Sequence, residues 1–139
     1  MFTVNELAQK ANAPAHVVRY YTRIGLLKPR AQQENGYRLF GSQDARRLRF
    51  IRLAKRLGFT LNEIRQITEH ADHGKSPCGE VRRIIQDRII ENRAKIEAML
   101  MLQNRMEEAL ETWEHMPDGI PDGDHVCHLI ESFEPADDA

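Results

Sequence analysis

Arginine, lysine and tyrosine recur together near the start of this 139-residue chain. Arg19, Tyr20, Tyr21 and Arg23 stand almost side by side, Lys28 and Arg30 follow, and Tyr37-Arg38 come next. Guanidinium and ammonium groups neutralise phosphates, phenol hydroxyls hydrogen-bond to them, and arginine pairs bidentately with guanine in the major groove. Basic residues interleaved with phenols therefore point to nucleic acid, whereas the same tyrosines on an inward face would be core. Adjacent residues do not share a helix face, so one of Tyr20 and Tyr21 is expected to be buried and the other exposed. His16 belongs to Pro14-Ala15-His16-Val17, the start of the same segment, where base-edge contacts arise in helix-turn-helix proteins.

Total charge argues the other way. The chain has 20 Lys+Arg against 21 Asp+Glu, a net charge of −1, which taken alone speaks against a nucleic-acid binder. The distribution reverses that reading. Residues 1–60 hold twelve Lys+Arg and three Asp+Glu, net +9, while residues 61–139 hold eight and eighteen, net −10. A basic part joined to an acidic part suggests a nucleic-acid face on one and a different task on the other; two sets of solvated helix faces would give the same count. The length suits one domain, or one small domain with an appended arm. No apolar run approaches the ~20 residues of a membrane helix, and Met1-Phe2-Thr3 leads straight into a capped helix pattern rather than a signal peptide. Two cysteines are too few for a disulfide framework, so a reducing cytoplasm is the expected setting. No P-loop, G-x-S-x-G or H-E-x-x-H pattern occurs, so an enzyme is not expected.

Helices must position these residues. Val4, Leu7 and Ala8 have helical spacing, and Ala11-Asn12-Ala13 breaks the run. Pro14 suits a first helical position, and Val17, Val18, Tyr20, Tyr21 and Ile24 form a second helix that Gly25 ends. Two short helices with a tight turn read as a helix-turn-helix. In Glu34-Asn35-Gly36-Tyr37-Arg38-Leu39-Phe40, Asn-Gly supplies the positive φ angles of a tight hairpin turn and the residues after it read as strand, making a wing. Ser42 is expected to cap a third helix with Leu48, Ile51, Leu53 and Leu57 as its apolar positions and many arginines between them. Gly58 stops it, and Thr60-Leu61-Asn62-Glu63 is a capping box that opens a fourth helix. Asp72–Pro77 reads as a loop. From about Glu80 to Trp113 neither Gly nor Pro occurs. There Ile85, Ile89, Asn92, Ile96, Met99, Gln103, Met106, Leu110 and Trp113 step by four and three, a heptad seam that has to pair with another chain or helix. A Pro/Gly/Asp loop, a short apolar stretch from Leu129 to Phe133 and an acidic end complete the chain.

Arg19-Tyr20-Tyr21-Thr22-Arg23-Ile24-Gly25-Leu26-Leu27-Lys28-Pro29, Asn35-Gly36-Tyr37-Arg38, Leu48-Arg49-Phe50-Ile51 and Leu57-Gly58-Phe59-Thr60-Leu61-Asn62-Glu63-Ile64 together resemble the MerR family of bacterial transcription regulators. The resemblance implies a mainly α fold in three parts. Residues 1–75 would form a winged helix-turn-helix DNA-binding domain, 76–114 a dimerisation helix, and 115–139 an effector-binding loop, short helix and acidic tail. It further implies a homodimer with an antiparallel coiled coil on double-stranded promoter DNA whose −35 and −10 elements are spaced widely, distorting that DNA so that RNA polymerase can align both elements. Arg19, Tyr20, Tyr37 and Arg38 would contact DNA, with Arg23 and the third-helix arginines on the backbone.

The likeness extends to the family's divalent-metal members, which sense zinc, cadmium, mercury or lead. Cys78 precedes the long helix and Cys127 lies in a C-terminal loop; the resemblance implies that Cys78 of one subunit approaches the Cys127 loop of the other. Copper(I)-type members carry serine at the first of these positions. Zinc takes about four ligands from thiolate, imidazole or carboxylate, and the candidates are Cys78, Cys127, His125, His128 and His115, with Asp118 or Asp124. The chain departs from those members where a further cysteine follows the long helix: the position falls at Trp113-Glu114-His115, so no tri- or tetrathiolate site is available. A mixed Cys/His site favours zinc or cobalt over softer ions. The alternative is a thiol-based redox or electrophile sensor, for which Cys78 at a helix N-terminus qualifies. The C-terminal arm is too short for a separate small-molecule domain.

Overall fold

A computed structural model describes residues 1–134. The acidic end expected at residues 135–139 lies outside the described residues. Among those described the chain is mainly helical and falls into two compact units, Met1–Val81 and the chain from Arg82 onward.

In the first unit, α1 (Val4–Lys10) starts where Thr3 accepts the Glu6 N–H, and the Glu6 carboxylate accepts the Thr3 N–H. That reciprocal box satisfies two amides that the first turn leaves without partners. Asn12, at φ 53°, turns the chain into α2 (Ala15–Arg23). Pro14 does not occupy the first helical position expected of it. It is the N-cap, at ψ 144°, because a proline there still has no N–H to lose. Gly25, at φ 84°, closes α2: its N–H reaches the Thr22 carbonyl and the Leu26 N–H reaches that of Tyr21. This left-handed closure is strained for a residue with a Cβ.

The hairpin joins β1 (Ala31–Gln32) to β2 (Arg38–Leu39), with Ala31 opposite Leu39 and Gln32 opposite Arg38. Its turn differs from the expected one. Only Gly36 of the Asn-Gly pair has positive φ, and the Gly36 N–H bonds the Gln33 carbonyl while Gln33 N–H bonds that of Tyr37. The connection is thus a three-residue loop with a glycine bulge rather than a two-residue turn. Phe2 and Phe40 exchange backbone hydrogen bonds of 2.7 Å, tying the N-terminus to the end of the hairpin.

In α3 (Ser42–Arg56) the cap is Gly41, not Ser42, because the Asp44 carboxylate reaches back to the Gly41 N–H at 3.0 Å. Its buried face is Asp44, Leu48, Ile51 and Ala54; Leu53 and Leu57, expected as apolar packing positions, are exposed on the opposite side. The fourth helix, α4 (Leu61–Asp72), opens on the Thr60/Glu63 box as expected. Leu7, Val18, Leu27, Phe40, Leu48, Ile51 and Ile64 are fully buried, so all four helices of this unit and the segments flanking the hairpin contribute to its core.

The long helix α5 (Cys78–Trp113) has 36 residues, about 54 Å, and begins two residues earlier than its sequence pattern indicates. An irregular loop follows, then α6 (His128–Glu131).

Candidate nucleic-acid interface and sensor elements

Helix periodicity decides what α2 presents. Val18 and Tyr21 are buried, Tyr21 to 8% exposure, which leaves His16, Arg19, Tyr20 and Arg23 on the opposite side, at positions i, i+3, i+4 and i+7. Tyr20 is 40% exposed, and the expected division between the two tyrosines holds. The Arg23 guanidinium sits over the Tyr20 ring, 5.3 Å from its centroid. Such stacking orients both side chains without consuming the guanidinium's hydrogen-bond donors.

The hairpin carries the second pair. Tyr37 and Arg38 are exposed, and the Asn35 side chain accepts the Tyr37 N–H at 3.1 Å, fixing the loop that aims them. On α3, Arg46, Arg49, Lys55 and Arg56 are exposed. Three further arginines of this unit make contacts that hold the fold. Arg47 pairs with Asp72 at 2.8 Å, joining α3 to the end of α4, and its guanidinium holds the Asp72 carboxyl below the ordinary aspartate value. Arg30 is anchored at the start of α3 by Asp44 and Gln43. Arg65 donates from α4 to the Ile24 carbonyl, capping the C-terminal end of α2. Sequence reasoning missed Arg65 and Arg47 in these roles, since their partners lie 41 and 25 residues away. These cations leave a cavity of about 590 Å³ beside α3 and α4, lined also by Lys28 and Phe50.

The proposed sensor residues occupy three places. Cys78 is the exposed first residue of α5, its N–H 3.4 Å from the Ser76 hydroxyl. Two residues further on, Glu80 Oε2 is buried, with His70 Nδ1 from α4 at 3.0 Å. His115 follows the end of α5 and is exposed. The third place is the loop before α6, which folds on its own polar groups. Asp122 Oδ1 accepts the N–H groups of Asp124 and His125, both at 2.8 Å, and the Glu131 carboxylate accepts the Val126 N–H at 3.3 Å and lies 3.8 Å from His125 Nδ1. Half-buried Cys127 stands at the N-cap position of α6. The His128 ring lies so close to Gly119 that a Cβ there would overlap it. Asp118, His125, Cys127 and His128 share one concavity of about 300 Å³. Among the described residues, no three His, Cys, Asp or Glu side chains stand together closely enough to hold a metal ion. One chain therefore brings Cys127, His125 and His128 into one loop and does not assemble the whole expected set.

Residues 2–71 match the MerR HTH family regulatory protein family and residues 45–109 the family described as MerR, DNA binding. The mercuric resistance operon regulatory protein of Bacillus cereus is 37% identical over 120 residues, covering 81% of this chain and 91% of that protein. The regulator ZntR of Escherichia coli K12 is 30% identical over 135 residues, covering 96% and 93%. Among solved structures, the regulator PbrR691 of Ralstonia metallidurans CH34 in complex with lead(II) superposes with a TM-score of 0.74 at 28% identity, covering 95% of this chain and 98% of that one. These relatives are DNA-binding regulators and not enzymes. By the match over its first half and the identity along nearly its whole length, this chain belongs to the MerR family of helix-turn-helix transcription regulators.

Proposed function

We propose that this regulator works as a homodimer in the cytoplasm, binds promoter DNA through α2 and the hairpin, and changes the shape of that DNA for RNA polymerase when a divalent metal, zinc foremost, occupies its C-terminal sensor. In this reading residues 1–75 bind DNA, 76–114 dimerise and 115–139 sense. The observation that carries the DNA assignment is the single outward face of His16, Arg19, Tyr20 and Arg23, opposite buried Val18 and Tyr21. Arg19 and Tyr20 reach the groove, Arg23 the phosphates, and Tyr37 and Arg38 clamp the backbone beside it. Similarity to proteins named for mercury, zinc and lead supports a divalent ion.

The donor set suits that class of ion. Cys78, Cys127, His125, His128 and His115 offer thiolate and imidazole, the ligands of borderline metals, and lack the third thiolate that would favour mercury. A bound zinc ion would supply a fixed positive centre that draws these donors together. The Glu131 carboxylate lies 3.8 Å from His125 Nδ1, close enough to offer that ring a carboxylate neighbour if it rotates toward a metal. Cys78 and the loop are on opposite ends of a helix of about 54 Å, so completing the site takes one end from each of two chains.

Two measurements test the reading. A duplex selected from a random pool by the wild-type protein should lose at least tenfold in affinity with Arg19→Ala at matched salt, the dimer being unchanged; equal affinity overturns the DNA face. Competition of the reduced protein against a chromophoric zinc chelator should show binding that Cys78→Ser and Cys127→Ser each weaken. The exposure of Cys78 at the first turn of α5, open to oxidants and electrophiles, gives the second reading its observation. No metal uptake together with rapid alkylation of Cys78 would replace the metal sensor by a redox or electrophile sensor.

A further inference from the structure

The seam of α5 carries its own ruler. Ile89, Ile96, Met99, Met106 and Leu110 lie along it, each more than half exposed, and two amides, Asn92 and Gln103, interrupt it. A second copy is the occupant that the proposed dimer supplies, and the inference below rests on that reading. The two ends of α5 differ in charge. Cys78–Lys95 holds five Lys+Arg and three Asp+Glu, whereas Ile96–Trp113 holds one and four. Antiparallel pairing sets the basic half beside the acidic half; parallel pairing sets like on like.

Antiparallel seams can still slide by whole heptads, and the amides decide between the positions. In one alignment Ile85 faces Leu110, Ile89 faces Met106, Asn92 faces Gln103 and Ile96 faces Met99, so apolar meets apolar and amide meets amide throughout. A slip of one heptad puts Asn92 against Ile96 in one direction or Leu110 in the other. Gln103 then meets Ile85 or Met99. Either slip desolvates an amide against a hydrocarbon with no partner, and does so twice on each chain. In the single chain Gln103 Nε2 donates to Glu107 Oε1 at 2.9 Å, which leaves the amide oxygen to accept from Asn92 of the second copy.

We infer that the dimer is locked in one register by paired Asn92–Gln103 layers, and that these two residues thereby set which parts of the second copy complete the sensor. Counting outward in that register, Arg82 lies level with Trp113 of the second copy, a cation–π pairing. Cys78 lies level with Pro117 of the second copy, between His115 and Asp118. A one-heptad slip would carry Cys78 about 10 Å away from those donors. The sensor's ligand set is thus fixed by two amides well inside the helix that touch no ligand.

Disulfide trapping reads the register directly. In a Cys78→Ser/Cys127→Ser background, the pair Ile89→Cys with Met106→Cys should oxidise to a covalent dimer. Ile89→Cys alone should not, since its two copies stand about 26 Å apart along the axis. Cross-linking by Ile89→Cys alone, or none by the pair, overturns the register. Because seam substitutions can loosen the dimer, spin labels at Asp87→Cys, an exposed position off the seam, give a second readout. Their axial separation should be about 32 Å; about 21 or 42 Å means a slipped register and near zero a parallel pair, and each overturns the inference. Sedimentation of the unmodified chain separates the two failures: a monomer removes the dimer itself, while a dimer with the wrong separation removes only the register.

Discussion

The two compact units solve the same problem, hiding apolar surface, in opposite ways. In the first, Leu7, Val18, Leu27, Phe40, Leu48, Ile51 and Ile64 are closed off from water, and long-range polar pairs such as Arg47–Asp72 and Arg65 to the Ile24 carbonyl tie the helices around them. In the second, the residues that a core would use stay outside: Ile96 is 60% and Met99 65% exposed, and Ala109 is the buried residue of α5. A helix with such a stripe is a half-interface. The first unit closes its core within a single chain; on the dimer proposed above, the second would gain its core from a second copy. On the proposed function, a regulator divided this way would couple sensing to DNA shape, because the part proposed to sense would also set the relation between two copies.

If that division is real, stability should respond to it unequally. Ile51→Ala opens a cavity in a core that cannot readily collapse and should cost the first unit about 2–5 kcal/mol. The loss would be seen as an earlier thermal transition with no dependence on protein concentration, while Ile96→Ala, at an exposed seam position, should instead lower a concentration-dependent transition. Equal behaviour of the two variants would erase the distinction between the units. Arg65→Ala sharpens it on a smaller scale. It leaves the Ile24 carbonyl without its cap and should cost about 1–2 kcal/mol in the first unit, with the second unchanged. The same variant should weaken DNA binding modestly, since α2 loses an anchor at the end opposite His16.

What could be read ahead of the structure was whatever local spacing encodes. The Thr60/Glu63 box, the outward Tyr20 against inward Tyr21, and the α5 seam all follow from periods of three and four along one helix. The outward placement of Arg19 and Tyr20 on α2 was legible for the same reason. Choices between neighbours were not: Gly41 caps α3 instead of Ser42 because the Asp44 side chain selects that amide, and Leu53 and Leu57 turn outward because Asp44, Leu48, Ile51 and Ala54 set the buried face. Arg30 and Arg47 read as two more phosphate ligands, and only the tertiary fold shows that each has a partner within the unit, as Arg65 does. For the proposed sensor, the sequence offered candidate donors but not their placement. Irregular backbone held by Asp122 and Glu131 sets where His125, Cys127 and His128 sit, and no period describes it.

The smallest expected effect is also the one with a pH signature. Arg47 donates to Asp72 and lowers its carboxyl pKa in the folded chain below the ordinary 3.8. The folded state therefore binds its proton less readily than the unfolded state, so the pair adds stability above the unfolded value and loses it as pH falls through the folded one. Both side chains are partly open to water, Asp72 at 51%, so solvent screening keeps the contribution below about 1 kcal/mol. Asp72→Asn should thus lower the first unit's midpoint by a few degrees at most near pH 7, and the difference should shrink as pH falls through the lowered folded-state pKa. Added salt should shrink the difference at pH 7. A deficit that persists at low pH would mean that Asp72 acts through packing, and that Arg47 is available to DNA after all.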